Sequence, residues 1–136
     1  MDATLLDTDT LSEFLKRRNA AVTAKAKAYL KQHGQFTFSD FTRFEIRRGY
    51  ADKRATRQLA KFDLFCDHSL VLPIDSAIFD QAALLWSEAR RGGHAKSDAD
   101  LLIAATAIVH DLVLVTGNSR HFAWMQGLRI DDWRTA

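Results

Sequence analysis

The stretch Ser97 to Thr116, SDADLLIAATAIVHDLVLVT, restricts the possible folds more than any other part of this chain. LLIAATAIV is apolar on every helical face, which suits a helix packed inside an α/β protein and not one lying on its surface. Leu112 to Val115 follows at once, a compact aliphatic run of the kind found in interior parallel strands. Two carboxylates, Asp98 and Asp100, stand at the mouth of this apolar unit, and Gly117-Asn118 follows it. Acids in that position call for a partner elsewhere in the chain.

Short apolar runs alternating with helical patterns supply the rest of the architecture. Ala3 to Leu6 predicts a first strand that ends in Asp7-Thr8-Asp9-Thr10, and Leu11 to Arg17 a short helix. Asn19 is placed to cap a helix over Ala20 to His33, with Gly34 as its stop. Phe36 to Phe38 predicts a second strand, Ser39 the cap of a helix from Asp40 to about Tyr50, and Ala55 to Cys66 a further helix built on Leu59, Phe62 and Phe65. Leu70 to Leu72 closes on Pro73, the one proline of the chain. Asp75 caps a helix whose Ile78, Phe79, Ala82, Leu85, Trp86 and Ala89 form one apolar face, ended by Gly92-Gly93. A short helix around His121 to Met125 and a strand at Leu128 to Ile130 complete the pattern. Strands alternating with helices predict an α/β fold, a parallel sheet covered on both faces.

At 136 residues the chain is expected to be a single domain, residues 1–136, with one ordinary core. Its 47% hydrophobic and 26% charged residues are those of a folded protein, and a net charge of +2 announces no global affinity for nucleic acid. The charge is uneven, because Arg43, Arg47, Arg48, Lys53, Arg54 and Arg57 face only Glu45 and Asp52 across that stretch. One cysteine excludes an internal disulfide framework and a four-cysteine zinc site. No signal-peptide pattern opens the sequence and no apolar run nears the ~18 residues of a membrane span, so a soluble cytoplasmic protein with no membrane partner is expected.

In an open parallel sheet, functional groups gather outside the carboxyl ends of the strands. Asp7 and Asn118 leave strands at that edge, and Glu45, Asp98 and Asp100 sit in the first turns of helices that begin there. Asp7, Glu45, Asp100 and Asn118 therefore predict one hard, all-oxygen site suited to Mg²⁺ or Mn²⁺ and not to zinc or copper. Clustered carboxylates need a cation or a proton, and phosphodiester hydrolysis gives such an ion work to do. Each residue also has a plainer role. Ser97 with Asp100 fits a capping box, Asp98 complements a helix dipole, and Asn118 is an ordinary turn residue.

LLDTDTL, FEIRRGY, DLLIAATA, LVLVTGNSRHF and GLRIDDW, in this order and across nearly the whole chain, resemble the PIN-domain ribonucleases, and within them the VapC-type toxins of toxin–antitoxin pairs. The resemblance implies a three-layer α/β/α sandwich with a central parallel sheet. It implies a Mg²⁺- or Mn²⁺-dependent endoribonuclease, a hydrolase acting on structured RNA such as tRNA. It also implies a homodimer, inhibition by a cognate antitoxin, and contact with operator DNA through that antitoxin alone. Its catalytic acids fall on Asp7, Glu45 and Asp100, which with Asn118 make the metal site. Some members carry an acid where Asn118 stands, which implies weaker binding of a second ion here. Thr116 takes a supporting role beside the first acid, and Asp98 ranks above Asp9 for another. Arg47 and Arg48, within a turn of Glu45, are the candidate RNA contacts, and Arg90, Arg91 and Lys96 form a second basic group. His94 and His121 match no motif position and read as surface histidines. Two other functions compete: a PIN-like module that only binds partners, and a haloacid-dehalogenase-like phosphatase suggested by Asp7-Thr8-Asp9. The second lacks evident lysine-bearing and later acidic motifs.

Overall fold

The computed structural model describes residues 1–95 and 97–135; Lys96 of the second basic group lies outside the described residues. The elements run β1 (Thr4–Leu6), α1 (Thr8–Lys16), α2 (Ala20–His33), β2 (Thr37–Ser39), α3 (Asp40–Asp52), α4 (Thr56–Asp67), β3 (Leu70–Leu72), α5 (Ser76–Gly92), α6 (Asp98–Val109), β4 (Val113–Val115), α7 (Ser119–Phe122) and β5 (Ile130–Asp131). The strands pair in the order β3-β2-β1-β4-β5, and every pairing is parallel. This is the expected α/β/α sandwich, with strand order reversing beside β1.

Alternation along the strands builds the two halves of the core, since successive side chains point to opposite faces. Leu5 and Leu114, paired in register, join Ile78, Leu85, Leu101, Ile103, Ala104 and Phe122 on the face covered by α5 and α6. Leu6 and Val115, one step on, join Leu11, Phe14, Val22, Tyr29, Phe38, Ile46 and Phe62 under α1 to α4. The α6 segment is buried as its composition requires, from Ile103 through Ala107 without a break.

Helix ends follow the expected capping residues. Asn19 accepts hydrogen bonds from the Ala21 and Val22 amides (3.0 and 3.1 Å), Asp75 from Ile78, and Ser97 from Asp100. Gly34 closes α2 at φ +82°, a conformation glycine adopts at no steric cost.

Several boundaries and faces depart from the sequence pattern. β2 and β5 begin one and two residues later than their aliphatic runs suggest, because pairing to β1 and β4 sets their span. The last short helix is Ser119–Phe122, ahead of the expected stretch. α4 buries only Phe62 fully, with Leu59 and Phe65 half-buried. Phe79 and Trp86, part of the expected apolar face of α5, are 54% and 43% exposed. The apolar stripe of α5 is wider than the sheet can cover, so Ile78, Ala82, Leu85 and Ala89 take the interior and the two aromatics border a shallow groove against α6.

Candidate active site

All strands are parallel, so Asp7 after β1, Ser39 at the end of β2, Thr116 after β4 and Asp132 after β5 lie at one sheet edge. The ladder continues there, with the Asp7 amide on the Val115 carbonyl (3.0 Å) and the Thr116 amide on that of Asp131 (2.9 Å). Asp7 is only 5% exposed. It is the N-cap of α1, its Oδ1 accepting from the Thr10 amide at 2.7 Å. Burial pushes its carboxyl above the ordinary value; hydrogen bonds from Thr116 and from the Thr10 amide and hydroxyl oppose that shift, and the Asp9 charge adds to it. The sequence therefore places a carboxylate where ionisation is unfavourable, unless a positive charge comes close.

Glu45 reaches the same edge from α3. Its Oε1 accepts a 2.6 Å hydrogen bond from the Thr8 hydroxyl, and the buried Thr42 hydroxyl lies 3.1 Å from that Thr8 oxygen. Arg48 stands 3.6 Å from the other Glu45 oxygen and stacks over Phe44, its guanidinium 5.0 Å from the ring centre. Arg47 is turned to α4, where it pairs with Asp63. Of the two arginines next to Glu45, Arg48 is the one that shares its environment.

Asp100 lies in the first turn of α6, its Oδ2 3.3 Å from His121 Nδ1 on α7. Asn118 follows β4; its amide N–H bonds the Thr116 hydroxyl (3.0 Å) and its side chain donates to Asp9 Oδ2 (2.8 Å). It is thus Asp9 that meets Asn118, whereas Asp98 lines the apolar groove beside Phe79, Trp86 and Leu102. His94 stacks on Trp124 at 4.6 Å.

The four expected ligands meet through intermediaries or apart: Glu45 bonds Thr8, the residue after Asp7; Asn118 and Asp7 share the Thr116 hydroxyl; and Asp100 contacts His121 of α7. Among the described residues no three His, Cys, Asp or Glu side chains form a ready-made metal cage. The donor set is nonetheless all oxygen, and the burial of Asp7 outweighs the hydrogen bonds it accepts even with the charge of Arg134 within reach, so its chemistry suits a hard divalent cation. Thr8, Thr42 and His121 were not expected as site partners, and Asp9, ranked below Asp98 for a supporting role, is the acid that meets Asn118. Thr8 carries a signal in retrospect, since a helix whose N-cap is the first acid presents its opening residues to the same edge.

Over residues 4–126 the sequence matches the family model described as the PIN domain. It is 28% identical over 130 residues to the tRNA(fMet)-specific endonuclease VapC of Shigella flexneri, covering 95% of this chain and 96% of the relative. It is also 28% identical over 130 residues to Ribonuclease VapC1 of Methanocaldococcus jannaschii, covering 94% and 86%. The DNA-bound VapBC structure from Salmonella typhimurium superposes with a TM-score of 0.86 at 28% identity, over 98% of this chain and 99% of that one. VapBC2 of Rickettsia felis, bound to a DNA fragment from its promoter, superposes with a TM-score of 0.85 over 96% and 98%, a likeness of fold at 20% identity. The PIN-domain model covers most of the chain and the superposed VapBC structure covers nearly all of it, so the phosphatase alternative falls away: the chain belongs to the PIN-domain family.

Proposed function

We propose that the chain is a divalent-metal-dependent endoribonuclease, the toxin of a toxin–antitoxin pair, acting as one domain in the cytoplasm. The observation that carries this reading is the buried Asp7 carboxylate, held by Thr10 and Thr116 at the strand edge with Glu45 bonded to the next residue. Asp7, Glu45, Asp100 and Asn118 would hold Mg²⁺ or Mn²⁺. Such an ion polarises a phosphate oxygen, lowers the pKa of a bound water and stabilises the leaving oxygen.

The chain's own residues do the positioning. Thr116 and the Thr10 amide orient Asp7 and favour its charged form. Thr8 orients Glu45, and His121 orients Asp100. Asn118 supplies a neutral oxygen where an acid would bring another charge, which lowers affinity for a second ion. Arg48 lies where a phosphate near Glu45 would meet it. The proposed substrate is structured RNA such as tRNA, and the proposed partners are a second copy of the chain and an antitoxin protein, through which operator DNA is reached. The VapC relatives named for tRNA cleavage and the VapBC complexes support this reading.

A non-catalytic module is the second reading, favoured by Asn118 and by the paired arrangement of the ligands. Incubation of total tRNA with the purified chain in Mg²⁺, in Mn²⁺ and in EDTA, beside an Asp7→Ala control, separates the two. Discrete fragments that need both metal and Asp7 are expected. Equal cleavage by the variant would remove the site assignment, and absence of both cleavage and metal binding by calorimetry would select the module.

A further inference from the structure

The chain does not end at β5. Its tail folds back on the edge, and Arg134 lies against Gly117. A Cβ built on Gly117 would come within 2.7 Å of the Arg134 guanidinium carbon, so the close approach depends on glycine. The guanidinium is clamped from two sides. Nε and Nη2 donate to Asp132 (3.2 and 3.0 Å), and Nη2 also donates to the Gly117 carbonyl. Among the described residues Nη1 has no hydrogen-bond partner, which leaves two N–H groups of the clamped cation unused. The arginine is half-exposed at the junction of two hollows that flank Gly117-Asn118.

The two hollows differ in charge. One carries Asp9 and Glu13. The other, about 240 Å³, is lined by Gly117, Asn118, Ser119, Arg120, His121 and Arg134 and has no carboxylate in its lining. It offers two guanidiniums, an imidazole, an amide and a hydroxyl. A hollow of that composition suits an oxyanion, since planar guanidinium edges and short polar donors match phosphate oxygens. Its location selects which one: Asn118 forms one wall, and His121 on another is 3.3 Å from Asp100.

We propose that this hollow is a phosphate subsite for RNA, in which Arg134, clamped by Asp132 and the Gly117 carbonyl, binds a backbone phosphate adjoining the cleavage site. The assignment rests on the ribonuclease reading. It adds a cation from the C-terminal tail, on the side of the site away from Arg48. Orientation by Asp132 makes the arginine a pre-organised donor, so less side-chain freedom is lost when it engages RNA.

Binding of fluorescein-labelled tRNA, followed by anisotropy in EDTA across a KCl series, tests the subsite apart from cleavage. Arg134→Gln should weaken binding several-fold and make the slope of log K against log [KCl] less negative by about 0.7–0.9, the loss of one phosphate contact. Arg134→Lys should retain that slope. Gly117→Ala, which displaces the guanidinium without changing net charge, should weaken binding as well. Thermal melting of each variant checks the fold, and should Arg134→Gln prove unstable, Gly117→Ala decides. Wild-type affinity and slope in both variants would make Arg134 a clamp for the tail and nothing more. Weaker binding with an unchanged slope would equally exclude a phosphate contact. Failure of the ribonuclease reading shows instead as absent metal-dependent cleavage, whatever the anisotropy gives.

Discussion

Asp7 illustrates how a single residue can be at odds with the stability of its own fold. Its carboxyl is raised by burial, so the native state binds a proton more tightly than the unfolded chain does. By linkage, stability then falls as pH rises from the ordinary carboxylate value through the raised native one, and the loss persists at neutral pH. Asp7→Asn keeps a side-chain oxygen for the Thr10 amide and removes the charge. In EDTA at pH 7 the variant should melt higher than the parent, with the two converging near pH 3, where both side chains are neutral. The same substitution should reduce RNA cleavage by more than about a hundredfold, beyond the ten- to hundredfold cost usual for changing a ligand's hydrogen-bond partner. A lower melting temperature for Asp7→Asn in EDTA would contradict this account. Thr116→Val provides the comparison: if Asp7 holds the proposed metal, losing the hydroxyl that bonds it should weaken metal binding by about ten- to hundredfold while the proposed ligand itself remains, as read by calorimetry.

At the scale of elements, α6 shows why an acid-bearing N-terminus and an apolar body coexist. Ser97 caps the helix through a 3.2 Å bond to the Asp100 amide, and the first turn holds Asp98 and Asp100 against the positive end of the helix dipole. Ser97→Ala should lower stability by about 1 kcal/mol, the usual cost of an N-cap, with the m-value in urea unchanged. A negligible effect would mean that packing of the interior from Ile103 to Ala107 sets the helix boundary alone. The neighbouring α5 marks a limit of pattern reading. Phe79 and Trp86 have the same spacing as core residues, but the sheet and α6 cover only the Ile78, Ala82, Leu85 and Ala89 side. Helical periodicity reports that a face is apolar; it does not report how wide a partner the face will meet.

For the whole molecule, the C-terminal tail matters more than its length suggests. Trp133 is 1% exposed and packs 5.7 Å from Tyr29 on the α1–α4 side of the sheet. Its indole N–H has no hydrogen-bond partner among the described residues. Trp133→Ala should therefore cost about 3–5 kcal/mol. Trp133→Phe should cost much less, because no indole hydrogen bond is lost. Equilibrium denaturation compares them; equal losses would mean that the ring's volume is not what the site requires. Either tail variant that loosens this packing should also disturb the neighbouring Arg134.

Much of this molecule was legible without coordinates, for local reasons. Parallel strands could be placed because aliphatic runs alternate with helical spacing, and α2 could be bounded because Asn19 and Gly34 satisfy its end groups within the chain. The edge expected for Asp7, Glu45, Asp100 and Asn118 was read from strand direction and from where the neighbouring helices begin, and their role as a metal site is proposed. What the tertiary structure decided is everything that depends on contact between distant segments: that Thr8 orients Glu45, that Asp9 and not Asp98 meets Asn118, that Arg47 is drawn to Asp63, and that Arg134 returns to Gly117. Periodicity and capping act through neighbours a few residues apart, and so they are written in the order of the amino acids. A side chain's partner and its burial depend on which surfaces the sheet brings together, and only the folded chain selects those.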